Sequence, residues 1–341
     1  DMDDGDDDGS NGDGTVGTVR FLACGTGNVS FTEDGTVWDA VDNPAGFALA
    51  FRGVACDQEG DCVAIGQNGA VIYSADGISW SSASAPVASD IVDVAAGGGF
   101  FVAVTADFQL LVSSNNGQSW NTPGIPLTAT GGEPPVVGYG DGRFVVAGQF
   151  DLVYADDPSG GEMAWTAAES RGEMGPVFDL AYAGGTFVAA SVDAAGAARA
   201  FYSPTGDVWE ASGPTDEQPA RLTSIVGDGF GNWVGVGARE DSGEGFLVQT
   251  DQLEVQNTWS LIGQDSGSFD LQPPRALQYV TFGEIGPGEY RWIASSGQGD
   301  HYWSISGLEW YQTITDFYGV QDITYRQIGR ASCRERVCHR V

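Results

Sequence analysis

The amino-acid sequence predicts an all-β protein, a seven-bladed β-propeller of four-stranded blades, and three observations carry that expectation. Tryptophan recurs at Trp38, Trp80, Trp120, Trp165, Trp209, Trp259 and Trp310, with spacings of 42, 40, 45, 44, 50 and 51 residues. Short apolar runs separated by Gly and polar turns fill each interval, and nothing in the body has the period of a long helix. The two ends of the repeat array also complement one another, each carrying the strand that the other lacks.

Within one repeat the strands can be placed in order. Runs such as CVAIGQNGAVIYS, FFVAVTADFQLLVSS, RFVVAGQFDLVYA and TFVAASVDAAGAARAFYS read as two strands joined by a tight turn. A shorter apolar run precedes each pair, as in IVDVAAGG, VFDLAYAGG, RLTSIVGDG and ALQYVTFG, and gives the innermost strand. The tryptophan opens a fourth strand. Four short strands every 40 to 50 residues make a propeller blade. The first repeat starts at TVRFLACG with no innermost strand before it. The stretch GVQDITY, at about 319–325, aligns with VFDLAYA and has no repeat after it. The C-terminal strand is therefore expected to close the first blade and remove the open sheet edges.

The propeller is expected to span 15–326. Residues 1–14 contain seven Asp and no apolar side chain except Met2, so a disordered acidic linker is expected there. Asp4, Asp6, Asp8 and Gly9 match the start of a calcium loop, but Thr15 stands where its closing acid belongs, which favours a plain spacer. Such a spacer resembles the tether behind the lipidated cysteine of bacterial surface lipoproteins, which implies a lipid anchor upstream of the chain. At the other end, IGRASCRERV resembles a translated sequencing adapter. Four of the 14 Arg of a Lys-free chain fall in its last twelve residues, so 327–341 are expected to be non-native, with Cys333, Cys338 and His339 set aside. The formal net charge of −33 argues against nucleic acid or anionic membrane as partner. No apolar run reaches the length of a membrane span.

The string before each tryptophan is most complete in blades two and three. SADGISW holds Ser74, Asp76, Gly77 and Trp80, and SSNNGQSW holds Ser113, Asn115, Gly117 and Trp120. TEDGTVW, SPTGDVW and SISGLEW are degenerate versions, and blades four and six have lost most of it. The string resembles the Asp-box (BNR) repeat of sialidase-like and photosystem II assembly-factor-like propellers, over most of 15–326. Its logic is local: Ser and Asp side chains bond turn backbone, Gly takes a positive φ and Trp packs into the blade. Such a staple occurs in enzymes and non-enzymes alike, so the resemblance implies fold rather than activity.

Cys56 and Cys62 bracket a turn in VACDQEGDCVAIG. Secreted bacterial propellers of the resembling kind carry a Cys pair at this turn, which implies a disulfide and an oxidising compartment. The alternatives are two free thiols or half a metal site, and no nearby His supports a metal. Cys24 aligns with Gly66 and is expected to be a small buried residue. Outside the tail the only histidine is His301, beside Asp300, and it is expected in an exposed turn. A Ser-His-Asp or Cys-His arrangement would have to use that one residue, and a His-rich metal centre is excluded. No cofactor or metal is expected.

The sialidase resemblance implies an Arg cluster, a Tyr–Glu pair and an Asp acid, with an Arg-Ile-Pro signature near the start. TVRFLACG has no Ile-Pro. Arg52, Arg221 and Arg275 do lie at or just before innermost strands, where a propeller presents its channel mouth. Asp93, Asp179 and Asp322 align with one another on such strands, and Tyr279 takes the same place in blade seven. This set is the candidate ligand site, since guanidinium groups suit carboxylates; the competing role for these side chains is ion pairing and satisfaction of strand backbone. The expected function is a non-enzymatic, extracytoplasmic binding or scaffold propeller, a monomer with an unknown protein or glycan as partner. The alternatives are a sialidase-type glycoside hydrolase and an assembly-factor-like propeller holding a protein partner.

Overall fold

A computed structural model describes residues 20–41, 44, 50–127, 132–149, 151–171, 174–193, 196–212, 221–239, 242–255, 258–262, 275–314 and 319–326. The acidic segment 1–14 with its calcium-loop-like residues, and the tail 327–341, lie outside the described residues.

Seven antiparallel blades stand in a ring, each innermost strand packing against the next. The first blade pairs Val320–Tyr325 with Phe21–Gly25, followed by Val29–Thr32 and Asp39–Ala40. Its closing register runs from Phe21 opposite Tyr325 to Gly25 opposite Val320, so the strand expected at 319–325 does close the ring. Blade two holds Phe51–Cys56, Cys62–Gly66, Ala70–Ser74 and Ser81–Ser84 in that order. The innermost strands of blades three to seven are Ile91–Gly97, Val136–Gly140, Met174–Ala183, Arg221–Gly227 and Leu277–Gly286. Two blades depart from four strands. In blade three the outermost strand shrinks to one bridge, Val112 opposite Asn121, because Pro123 two residues on has no N–H to continue the ladder. Blade five gains Glu169–Arg171, which pairs in parallel with Val208–Ala211 at its outer edge.

Alternation explains the near-continuous apolar runs. In Cys62–Gly66, Cys62 and Ala64 face blade one while Val63 and Ile65 face blade three. Each blade is thus buried on both faces, and each of the seven junctions owns one apolar cluster. The junction between blades seven and one has the smallest among the described residues: Phe21, Ala23, Ile293, Val320 and Ile323. On the far side of the ring a glycine of one inner strand lies under a tyrosine of the next. Tyr139 covers Gly97, Tyr182 covers Gly140 and Tyr325 covers Gly283, so closely that a Cβ at any of the three would overlap the ring.

In five of the blades the hairpin before the tryptophan is held by its own side chains. Ser74 Oγ accepts from Gly77 N–H at 2.8 Å, and Asp76 Oδ1 accepts from the N–H groups of Ile78 and Ser79 at 2.8 and 2.6 Å. Ser113 accepts from Gly117 N–H at 3.0 Å, while Asn115 Oδ1 accepts from Ser119 N–H at 3.0 Å. The indole N–H groups of Trp80 and Trp120 close the turns on the carbonyls of Gly77 and Gly117 at 3.1 and 3.0 Å. The same Ser-to-Gly bond recurs at Ser203 and Ser304, with Thr32 taking that role in blade one. In blade six the indole of Trp259 turns instead to Ser212 Oγ at 2.9 Å.

Gly117 has φ +78° and faces Val63 of blade two, whereas Gly142 has the same φ with nothing within 4 Å. Gly117→Ala should cost about 2–3 kcal/mol and Gly142→Ala about 1 kcal/mol, since only the first adds overlap to backbone strain. Guanidinium denaturation midpoints of the two variants, with unchanged slopes, check this ordering.

Candidate binding site at the channel mouth

Most inner strands carry a bulge, and in five of them the residue just past it faces the ring axis. Register shifts occur at Phe51/Gly53, Ile91/Asp93, Val177/Asp179, Leu222/Ser224 and Leu277/Tyr279, and between Cys24 and Gly25 opposite Val320 and Asp322. Asp322, Asp93 and Asp179 hold this place in blades one, three and five, Ser224 in blade six and Tyr279 in blade seven.

Each aspartate ties two blades together. Asp322 Oδ1 accepts from Ile323 N–H of its own strand at 2.8 Å, and Oδ2 accepts from Val54 N–H of blade two at 2.9 Å. Asp93 repeats this with Val94 at 2.8 Å and Val137 of blade four at 2.7 Å. Asp179 does so with Leu180 at 2.8 Å and Ile225 of blade six at 2.9 Å. Its Oδ2 also accepts from Ser224 Oγ at 2.7 Å, and that hydroxyl accepts from Val280 N–H of blade seven at 3.3 Å. These N–H groups lie on innermost strands, whose axis-facing edge has no ladder partner, and the carboxylates satisfy them.

Above this belt lies a cavity of about 510 Å³, to which all seven inner-strand regions contribute. Its polar wall is Arg52, Asp90, the three aspartates, Ser224, Tyr279 and Gln321; Val92, Pro135 and Phe178 supply apolar surface. Burial raises the carboxyl groups of all three aspartates against the bonds they accept from backbone, Asp322 to about 7. For Asp93 and Asp322 neighbouring carboxylates add to the rise. Burial likewise pushes the Tyr279 hydroxyl well up, Asp322 adding to the effect and Arg52 opposing it.

The three arginines are not gathered on one point. Arg52 lines the cavity, with Nη2 donating to Asp90 at 3.2 Å and a buried Nε that has no hydrogen-bond partner among the described residues. Arg221 lies over the Phe178 ring, 4.0 Å from its centroid, and pairs with Glu133. Arg275 is half-exposed, donating to Gln298 O at 3.3 Å and facing Asp300 at 3.6 Å. Arg52, the three aspartates and Tyr279 therefore share one cavity, while Arg221 and Arg275 are engaged elsewhere. Ser224 and Asp90 were not singled out from the sequence, although Ser224 stands at the aspartate position in RLTSIVG and Asp90 directly precedes an inner strand.

No protein-family model matches the chain, and no curated protein matches its sequence. Solved propellers do match in shape. YCF48 bound to D1 peptide superposes with a TM-score of 0.54 at 17% identity, over 86% of this chain and 84% of that one. YCF48 from Cyanidioschyzon merolae gives 0.55 at 15% identity, over 77% and 84%. An ancestral GH74 enzyme gives 0.64 at 15% identity, over 91% of this chain but 47% of that one, so the chain spans about half its length. The likeness is one of fold.

Cys56 and Cys62 are joined by a disulfide, and Cys24 is a buried free thiol whose pKa is raised by burial and by Asp322. His301 corrects the sequence reading. It lies in the strand Asp300–Ser304 and is fully buried, its Nδ1 3.1 Å from Ser295 Oγ and its ring stacked on Trp38 at 5.7 Å. Strand alternation turns it inward beside Asp300, and the cross-strand Ser295 satisfies its ring nitrogen. Among the described residues, no group of three or more His, Cys, Asp or Glu side chains could hold a metal ion. Among the described residues, no helix is long and apolar enough to cross a membrane.

The belt makes stability depend on pH. Each aspartate binds its proton more tightly folded than unfolded, so its stabilising effect is full below the ordinary carboxylate value of 3.8 and is lost as pH rises through its raised folded value, about 7 for Asp322. Asp76 and Asp107 have lowered pKa values, through backbone and hydroxyl bonds respectively, and work in the opposite sense below that window. The melting temperature should therefore rise as pH falls from 8 to about 5, and Asp322→Asn should flatten that slope while lowering the whole curve. Differential scanning calorimetry across the range checks both.

Proposed function

We propose that the chain is a non-enzymatic binding propeller, working outside the cytoplasm, that holds a segment of a partner protein at its channel mouth. One observation carries this reading. The cavity draws on all seven blades, yet both oxygens of each of its three belt aspartates already accept backbone N–H bonds. Such carboxylates are poorly placed to act as a nucleophile or a mobile acid, because moving them strips buried donors of their partners. What the mouth offers is a surface: the Tyr279 hydroxyl, the Arg52 guanidinium, the Phe178 ring and the Pro135 edge.

Three further points support it. YCF48, a propeller of similar shape, has been solved with a bound D1 peptide, which makes a polypeptide a reasonable occupant here. The disulfide fits an oxidising compartment and hence an extracytoplasmic place of work. The Ser–Asp–Gly–Trp hairpins support reading the repeats as Asp-boxes, a staple indifferent to catalysis. A sialidase-type hydrolase needs several guanidinium groups on one substrate carboxylate, whereas Arg52, Arg221 and Arg275 pair with three different acids.

Panels of peptides and of neutral and acidic oligosaccharides, titrated into the protein by calorimetry, test the proposal. Peptide binding should weaken about tenfold in Arg52→Ala, equivalent to about 1.4 kcal/mol, and mass spectrometry should find the ligands intact. Cleavage of any oligosaccharide, or peptide binding indifferent to both Arg52→Ala and Tyr279→Phe, would contradict it.

A further inference from the structure

The disulfide and the end of the closing strand meet at one point. Cys56 and Cys62 face each other across the first strand pair of blade two, with Cα atoms 4.1 Å apart, and the turn 57–61 lies beyond them. The hydrogen bonds of that turn are mostly its own: Asp57 N–H to Asp61 O, Gly60 N–H to Asp57 O, and Asp61 N–H to Asp57 Oδ1. One carbonyl faces outward to a different part of the chain. Gly60 O accepts from Arg326 Nε at 2.8 Å.

Arg326 directly follows the closing strand Val320–Tyr325, and its backbone N–H donates to Arg20 O at 2.7 Å. Its side chain reaches over blade two, where Nη2 donates to Ala75 O at 2.9 Å in the Ser74–Trp80 hairpin. The residue is 9% exposed, so its charge is held by these carbonyls and by the field of Asp57, Asp61 and Asp76. Asp322, four residues earlier, accepts from Val54 N–H of the same blade. The closing strand is thus tied to blade two at both Asp322 and Arg326, and the second tie depends on where the disulfide holds Gly60.

We propose that the Cys56–Cys62 disulfide and Arg326 form a redox-sensitive latch on ring closure, so that reducing the bond loosens the C-terminal strand. Cys56 is partly exposed and Cys62 fully buried, so a dithiol reductant reaches the Cys56 sulfur first. Its thiolate bonds to that sulfur and the S–S bond breaks, with the electron pair leaving on Cys62, which takes up a proton. The reductant's second thiolate then displaces Cys56, which also takes a proton, and the reductant departs as its own cyclic disulfide. Two electrons and two protons reach the protein. Without the cross-link the turn can shift, Gly60 O leaves Arg326, and a buried guanidinium loses one of its carbonyl acceptors. The apolar cluster at the junction between blades seven and one, the smallest of the seven among the described residues, has least to offset that loss.

Hydrogen exchange on the full chain, before and after reduction with dithiothreitol, tests the latch. Amides of Val320–Tyr325 and of their partners Phe21–Gly25 should exchange at least tenfold faster once reduced, with those of Thr186–Asp193 in blade five unchanged. In Arg326→Ala, exchange at 320–325 should be fast already, and reduction should add less than twofold. Three results would overturn the proposal: faster exchange confined to 56–62, an equal rise in every blade, or a full reduction effect persisting in Arg326→Ala. Reduction of the unaltered chain decides the first two by itself, even if the variant does not fold.

Discussion

Every blade is buried on both faces, and only the closing of the ring makes that possible. The strand that completes the first blade, Val320–Tyr325, arrives from the far end of the repeat array and pairs with Phe21–Gly25. Without it Phe21, Ala23 and Ile293 lose the cover of Val320 and Ile323, and Phe21–Gly25 becomes an unpaired edge. The other six junctions are made between successive repeats, whereas this pairing joins residues about three hundred positions apart. Its loop-closure entropy has to be met by the contacts of a thin apolar cluster and a few polar ties. The ties to blade two through Asp322 and Arg326 matter for that reason: they spread the anchorage of one strand over two blades.

The belt of aspartates satisfies the inner edges of the blades, where N–H groups facing the axis have no ladder partner. A bulge turns a residue toward the axis, and a short carboxylate there reaches two of the edge N–H groups at once. Three carboxylates on alternate blades, with Ser224 extending the pattern to blade seven, link inner strands that share no ladder. The cost is buried charge, visible in the raised carboxyl groups of Asp93, Asp179 and Asp322. The same side chains form the floor of the channel mouth, so the scaffold and the candidate site are one set of residues.

The fold was legible because it is written in spacing. Trp80 and Trp120 each end a turn whose Ser, Asp or Asn, and Gly make bonds no more than four residues apart, and local chemistry of that kind survives translation into sequence. The alignment of Gly319–Tyr325 with other inner strands likewise needed only pattern. The site was half legible. Asp93, Asp179, Asp322 and Tyr279 share a register and so share a cavity, but register does not reveal that the carboxylates are occupied by the neighbouring blade's backbone. The arginine placements were not legible in the sequence, because a long side chain reaches away from its strand: Arg221 goes to Phe178 and Glu133, and Arg275 to Gln298 and Asp300. His301 was misplaced since Asp300 beside it reads as turn, whereas alternation puts consecutive residues on opposite faces.

One C-terminal strand makes the ring a single cooperative unit, and truncating the chain on either side of it separates that role from the rest of the fold. Thermal unfolding would be followed by near-ultraviolet circular dichroism for chains ending at Arg326 and at Gly319. One sharp transition is expected for the first, as in the full chain, and loss of fixed aromatic packing for the second, restored by adding a peptide of 320–326. A chain ending at Gly319 that unfolds as sharply and at the same temperature as the full chain would contradict it.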